Sequence, residues 1–162
     1  MTKHELKPEL SHLDDEGHIR MVNVSDKDTT FREAVARGRI RISDEALELI
    51  RVGTISKGNP LEVARVAGIL AAKRTAELIP LCHQIPLTHI EIDIRLMDDG
   101  YEIQASVKTS AQTGVEMEAL TAVSATALTI YDMVKAVDRT MVIGEIRLVR
   151  KSGGKSGVFE QD

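Results

Sequence analysis

The chain has little of what disulfide-stabilised, zinc-stapled or membrane proteins need. It contains one cysteine, Cys82, among 162 residues. A single cysteine excludes an internal disulfide and a zinc site built from several cysteines. No apolar run approaches the ~20 residues of a membrane-spanning helix, and the first residues lack the apolar stretch of a signal peptide. We therefore expect a cytoplasmic protein without a membrane partner.

Aromatic residues are also scarce, with two Tyr, two Phe and no Trp. Proteins that bind single-stranded nucleic acid stack the bases on aromatic side chains, so the scarcity argues against that class. The net charge is −4, from 21 basic and 25 acidic residues, which gives no overall attraction for nucleic acid. We expect no nucleic-acid partner.

The order of predicted strands and helices indicates one α+β domain. Ser43 and Asn59 are typical N-cap residues, and Pro60 suits the first position of a helix. Periodicity predicts strands at 21–24, within 29–42 and at 140–149, a hairpin at 88–109, and helices at 44–52, 59–75 and 115–137. This order predicts a ferredoxin-like split β-α-β sandwich, with helices packed on one face of an antiparallel sheet.

The two ends of the chain differ from this domain in composition. Residues 1–18 are polar and interrupted by proline and glycine, and residues 151–162 are rich in glycine and lysine. We expect a flexible N-terminal arm at 1–18, a single ferredoxin-like domain at 19–150 and a flexible tail at 151–162.

The longest predicted helix carries acids at both of its ends. Glu116 and Glu118 suit a first turn, where acids stabilise the helix dipole. Asp132 lies near the C-terminal end, where an acid opposes the dipole, so we expect another interaction to hold it; Lys135 is three residues away. Glu118 and Asp132 are about 21 Å apart along a helix. If both are functional, a site shared between subunits is the economical arrangement.

Several cations are candidates for binding an anion. Lys57 precedes a predicted helix start, Arg32 lies on an early strand, and Lys155 belongs to the tail segment "KSGGKSG". This segment is not a Walker A motif, because Val149 stands where the motif has its first glycine. Taken one at a time, the residues favour an exposed surface position for Lys57 and Arg32 and an unstructured tail for Lys155.

The segment "IPLCHQIPLTH" places Cys82 beside His83 between two prolines. A structural metal site would have only His89 as a further nearby imidazole. A nucleophile–base pair is disfavoured, because adjacent side chains in extended chain point in opposite directions. The prolines stiffen the segment, which favours a ligand-binding loop with His83 as a hydrogen-bonding or proton-carrying group, or a rigid turn.

Four segments together resemble one family, the cyclic pyranopterin monophosphate synthases, also called molybdenum cofactor biosynthesis protein C. They are "GHIRMVNVSDKDTTFREA", "KGNPLEVARVAGILAAKRTAELIPLCH", "TGVEMEALTAVSATALTIYDMVKAV" and "KSGGKSG". The segments cover most of the chain in the family's order and spacing. The resemblance implies a ferredoxin-like enzyme that converts (8S)-3′,8-cyclo-7,8-dihydroguanosine 5′-triphosphate to cyclic pyranopterin monophosphate and pyrophosphate, a phosphorus–oxygen lyase of molybdenum cofactor biosynthesis.

The resemblance also implies roles for particular residues. It assigns catalysis to Asp132, Lys135 and Lys57. It assigns substrate binding to the remaining matched positions: Leu81, Cys82, His83, Met117, Glu118, Glu116, Arg32, Lys151 and Lys155. It further implies a homohexamer, a trimer of dimers, with sites between subunits.

Two other functions fit the residues less fully. A non-catalytic nucleotide-sensing module would use the basic residues for binding alone, and a metal-binding structural subunit would rest on Cys82, His83 and His89. No cofactor and no protein-bound metal are predicted. Mg²⁺ is compatible with a triphosphate substrate, although no set of ligands for it is visible in the sequence.

Overall fold

The computed structural model describes residues 16–155 and 157–161. In this part of the chain the elements follow in the order β1 (Thr30–Arg41), α1 (Asp44–Arg51), α2 (Pro60–Lys73), α3 (Thr75–Leu78), β2 (His89–Met97), β3 (Gly100–Ala111), α4 (Glu116–Val134), β4 (Val142–Ser152) and β5 (Phe159–Glu160). No helix within these residues is long and apolar enough to cross a bilayer.

The strands form one sheet in the order β2-β3-β1-β4-β5, and every neighbouring pair is antiparallel. Alternate residues of the central strands β1 and β3 are buried, among them Ala34, Ala36, Ile103 and Ala105. These residues join the core that α4 and α2 complete, while the residues between them are less buried and mostly polar. The predicted α+β fold, with helices on one face of an antiparallel sheet, is confirmed.

The caps that the sequence predicts form in the structure. Ser43 Oγ accepts a hydrogen bond from the backbone N–H of Ala46, so α1 begins directly after it. Asn59 Oδ1 accepts from the N–H groups of Leu61 and Glu62 at 3.0 and 3.3 Å, and Pro60 occupies the first turn of α2. These bonds satisfy N–H groups that lack partners within the helix.

The prediction of a strand at 21–24 is wrong. The segment leads into a turn instead: the side-chain Oδ1 of Asn23 accepts from Ser25 N–H at 2.9 Å, and the backbone oxygen of Val24 accepts from Lys27 N–H at 3.0 Å. Local side-chain bonds of this kind compete with strand pairing. At the other end β4 reaches Ser152, inside the predicted tail, and β5 pairs with it. Whether the tail is mobile stays a prediction, and residues 1–15 of the predicted arm lie outside the described residues.

Helices α2 and α4 pack closely because glycine lies at their contact. A methyl group added to Gly68 would overlap Thr126 Oγ1 and would lie 3.1 Å from Ala122 O. The Thr126 hydroxyl is fully buried and donates to Ala122 O at 2.8 Å, so it has little freedom to move away. A residue without a side chain at position 68 therefore sets the distance between the two helices.

The substitution Gly68→Ala should destabilise the fold by about 1–3 kcal/mol, because overpacking forces the helices apart. Gly144→Ala is the matched control, since a methyl group there meets no atom within 4 Å among the described residues. Urea unfolding of the two variants and the parent measures the difference. Equal loss of stability in both variants would contradict close packing at Gly68.

Candidate active site

All three residues predicted to be catalytic meet at the C-terminal end of α4. Lys57 lies in the turn between α1 and α2, Asp132 in the last turn of α4, and Lys135 at its C-cap. Lys57 Nζ donates to Asp132 Oδ2 at 3.2 Å and to Asp132 O at 2.9 Å. Lys135 Nζ is 2.7 Å from Asp132 Oδ1. We call these three residues the acid–lysine cluster.

The two lysines explain why an acid lies at an unfavourable end of the helix. Hydrogen bonds from Lys135 and Lys57, and their positive charges, hold the pKa of Asp132 below its ordinary value. The carboxylate is therefore ionised at neutral pH. It remains 57% exposed, so a ligand can reach it. Each oxygen of this carboxylate contacts one ammonium group, so protons can pass between Asp132 and either lysine.

An open cavity of about 470 Å³ adjoins the acid–lysine cluster. Its lining includes Lys57, Tyr131, Lys135 and Arg139. Tyr131 Oη donates to Arg139 O at 3.3 Å, which links α4 to the segment that follows it. The cavity is rich in cations, as expected for a site that receives an anion.

A groove at the opposite end of α4 gathers six predicted binding residues. Its volume is about 310 Å³, and its lining includes Leu81, Cys82, His83, Glu116, Met117 and Glu118. These six residues come from the proline-flanked loop and from the first turn of α4, two segments far apart in sequence that the fold brings together. We call it the N-terminal groove.

The imidazole of His83 helps to form the wall of this groove. His83 Nε2 lies 2.8 Å from Val22 O. Because a carbonyl only accepts, Nε2 must carry the proton and donate. His83 thereby ties the segment before β1 to the loop, and its Nδ1 is the nitrogen left for a ligand.

The carboxyl group of Glu118 is the most unusual ionisable group in the groove. Its residue is only 5% exposed. Burial raises its pKa to about 7, a hydrogen bond from its own backbone N–H opposes the rise, and the negative charge of Glu116 adds to it. Burial and the charge of Glu118 also raise the pKa of the Cys82 thiol, so the thiol stays protonated and is a poor nucleophile.

A second pocket, of about 440 Å³, shares a wall with the N-terminal groove. Arg32 Nε and Nη2 donate to the backbone oxygens of Ala111 and Gln112 at 3.0 and 3.1 Å, which fixes the guanidinium at the pocket. Lys155 also lines it. Lys151 Nζ donates to Glu116 Oε1 at 2.9 Å beside the pocket. We call this the anion pocket.

The predicted site residues therefore form two groups rather than one. The acid–lysine cluster lies beyond the last turn of α4, and the groove and anion pocket lie at its first turn. The helix is continuous from Glu116 to Val134, so Glu118 and Asp132 are about 21 Å apart along its axis. Within one chain the two groups cannot contact the same small ligand directly.

Comparisons of the sequence with known proteins assign the chain to a family. The sequence profile of the MoaC family matches residues 21–154, which include both groups of site residues except Lys155. The chain belongs to the MoaC family. A cyclic pyranopterin monophosphate synthase from Thermomicrobium roseum is 58% identical over 156 residues, covering 95% of this chain and 94% of the relative. Synthases of the same name from Roseiflexus sp. and Pelotomaculum thermopropionicum are 58% and 60% identical, covering 95% and 94% of this chain and 99% and 91% of their own lengths.

Two cationic residues that line these cavities were not predicted as site residues of this MoaC-family chain. Lys27 lines both the N-terminal groove and the anion pocket. Arg139 lines the cavity at the acid–lysine cluster. Lys27 lies within a segment that resembles the family, so it was open to prediction. Arg139 lies beyond the resembling segments, and only the turn after α4 brings it to the cavity.

Residues 16–155 and 157–161 contain no cluster of side chains suited to binding a metal ion. No three His, Cys, Asp or Glu side chains there are grouped to hold a metal ion. Cys82 and His83 line the N-terminal groove, whereas His89 lies in β2 with its Nε2 3.7 Å from Glu91. These positions give no support to a structural metal site built from the three.

The raised pKa of Glu118 predicts a change of stability with pH. The folded protein binds this proton more tightly than an unfolded chain, whose glutamate has the ordinary pKa of 4.5. The stabilisation is complete below pH 4.5 and is lost as the pH rises through about 7. Relative to Glu118→Gln, which cannot ionise, the parent should lose about 3 kcal/mol of unfolding free energy between pH 4.5 and pH 8.

Urea unfolding at a series of pH values measures this difference. Glu77→Gln, which changes an exposed glutamate on α3, is the control and should follow the parent. If the profiles of the parent and Glu118→Gln run parallel, the pKa of Glu118 is not raised.

Proposed function

We propose that this chain is a cyclic pyranopterin monophosphate synthase. It converts (8S)-3′,8-cyclo-7,8-dihydroguanosine 5′-triphosphate to cyclic pyranopterin monophosphate and releases pyrophosphate, as a phosphorus–oxygen lyase in the cytoplasm. The observation that carries the proposal is the 57–60% identity, over almost the whole chain, to relatives that bear this name. The acid–lysine cluster and the cation-rich pockets supply groups that suit such a reaction.

The acid–lysine cluster carries the proton transfers in this proposal. Opening the purine-derived ring and building a pyrazine ring require protons to be removed and returned repeatedly. Ionised Asp132 accepts or relays a proton, while the ammonium groups of Lys57 and Lys135, already bound to it, donate. The same ammonium groups stabilise negative charge that develops on oxygen.

The other end of α4 binds the substrate. The N-terminal groove receives the heterocycle, with Leu81 and Met117 as apolar contacts. His83 and Glu118, whose carboxyl group is partly protonated near neutral pH, are the hydrogen-bonding groups. In the anion pocket, Arg32, Lys151 and Lys155 bind phosphate oxygens, with Glu116 orienting Lys151. A Mg²⁺ ion bound by the triphosphate is compatible with this arrangement, and its requirement stays a prediction.

One active site then uses two subunits. The groove of one chain faces the acid–lysine cluster of its partner, because about 21 Å of continuous helix separates the two groups within a chain. A two-fold dimer forms two such sites, since the same surfaces meet twice. Three dimers make the proposed hexamer.

Incubation of the purified protein with the cyclic triphosphate tests the activity. Mass spectrometry of the product and a coupled assay for pyrophosphate should detect cyclic pyranopterin monophosphate and pyrophosphate in equal amounts. Binding of the triphosphate without turnover would refute the enzyme and favour a nucleotide-sensing module.

The variant Asp132→Asn should lose at least about a hundredfold in kcat, because the change keeps the shape of the side chain and removes the ionisable oxygen. Its melting temperature should stay within a few degrees of the parent, since the residue is largely exposed. Asp98→Asn, in the exposed turn between β2 and β3, is the control and should keep full activity. Turnover within tenfold of the parent would remove Asp132 from the catalytic group.

Subunit complementation tests the shared site. Glu118→Ala and Asp132→Asn chains should each be inactive alone. When equal amounts of the two variants exchange subunits completely, about half of the dimers contain one chain of each variant. One of the two sites in such a dimer has both Glu118 and Asp132 intact, so about a quarter of all sites are complete. The activity should therefore rise toward about a quarter of the parent's. Exchange is verified by native mass spectrometry. No recovery in fully exchanged protein would contradict a site built from two chains.

A further inference from the structure

Arg139 lies at the cavity beside the acid–lysine cluster, and its positive charge is not paired with any acid in the described part of the chain. It lines the same cavity as Lys57 and Lys135. Both lysines are bound to Asp132, at 3.2 and 2.7 Å. The guanidinium of Arg139 has no ion pair and no hydrogen bond within residues 16–155 and 157–161.

The backbone around Arg139 is held on both sides. Tyr131 Oη donates to the backbone oxygen of Arg139 at 3.3 Å. The neighbouring Asp138 is only 5% exposed, and its Oδ2 accepts from Ser43 N–H at 2.8 Å. Its Oδ1 accepts from the N–H and hydroxyl of Thr140 at 2.8 and 2.7 Å. These bonds connect the segment after α4 to the start of α1.

The same bonds occupy the carboxylate of Asp138, the acid that is adjacent to Arg139 in sequence. Both oxygens of Asp138 are occupied by donors from Ser43 and Thr140, and these bonds hold the pKa of Asp138 below its ordinary value. The adjacent carboxylate is thus committed to the backbone. Among the described residues that line the cavity, three are cations and none is an acid, and two of the cations are paired with Asp132.

An excess of positive charge in a cavity favours a ligand with several negative charges. The planar guanidinium of arginine matches two phosphate oxygens at once, which a lysine ammonium does not. A phosphate chain matches this excess of charge better than a single carboxylate does, because it carries several negative charges. Because the segment of Arg139 is fixed, binding does not require that backbone to become ordered first.

We propose that Arg139 binds phosphate oxygens of the substrate's triphosphate, and of the pyrophosphate that leaves, beside the acid–lysine cluster. In the two-chain site proposed above, this cluster faces the groove and the adjoining anion pocket of the other chain, so one triphosphate can contact both. The identity of this phosphate chain rests on the function proposed above. Arg139 thereby holds the leaving group near Lys57 and Lys135, so that their charges face the oxygen on which negative charge develops.

Titration calorimetry with pyrophosphate tests the assignment on the full chain. Arg139→Gln should weaken the binding of pyrophosphate about tenfold or more, as expected for the loss of a charge-assisted hydrogen bond. Arg139→Lys should recover part of the affinity, because it restores the charge without the planar pair of donors. Arg95→Gln removes one charge on the edge strand β2, where Arg95 is paired with Asp93, and should bind like the parent.

Kinetics with the cyclic triphosphate add a second readout. Arg139→Gln should raise KM and pyrophosphate's inhibition constant, with an unchanged melting temperature. If Arg139→Gln binds pyrophosphate as tightly as the parent, or if the parent does not bind it, the assignment is overturned.

The calorimetric result separates this inference from the proposed function. Loss of pyrophosphate binding in Arg139→Gln, in a protein that makes no cyclic product, would keep the phosphate site and refute the synthase. Product formation with unchanged pyrophosphate binding would refute the site and keep the synthase.

Discussion

The rigidity of α4 is the constraint on which the rest of the molecule depends. Its nineteen residues run without a break across the sheet, and its contact with α2 is close because Gly68 has no side chain. Buried small residues, Ala119, Ala122 and Ala127, let the helix lie close to the sheet and to α2. The helix thereby fixes the distance between the buried acid at its first turn and the exposed acid at its last. Within one chain, the groups at the two ends of α4 therefore cannot contact the same small ligand.

The two ends of α4 give the same kind of side chain opposite properties. Glu118 is enclosed by protein, so its charged form is disfavoured and its pKa rises to about 7. Asp132 lies in solvent between two ammonium groups, so its charged form is favoured and its pKa falls. Pairs of carboxyl groups whose surroundings separate their pKa values are typical of acid–base sites. At neutral pH Glu118 is therefore close to its own pKa and exchanges a proton readily, whereas Asp132 stays ionised.

Part of this site was predictable and part was not. Asp132 and Lys135 are three residues apart in one helix, so their contact follows from helical geometry, and an acid against the dipole already indicated a further partner. The partner Lys57 is 75 residues away, and no local rule places it there; the resemblance to a family named it. Arg139 escaped prediction because its position depends on a turn held by Asp138, Ser43 and Thr140. The strand predicted at 21–24 was wrong because Val22 O accepts from His83 and Val24 O accepts from Lys27 N–H in a turn, rather than from a neighbouring strand.

The sequence alone determined the order of the main elements, the helix starts at Ser43 and Asn59, and the family. Those properties depend on neighbours three or four residues away, or on motifs that can be read directly. The tertiary structure decided which cations share a cavity, how deeply Glu118 is buried and that Cys82 keeps its proton. Charge pairing and loss of hydration depend on distances between segments that are remote in the chain, and only the packed sheet and helices set those distances.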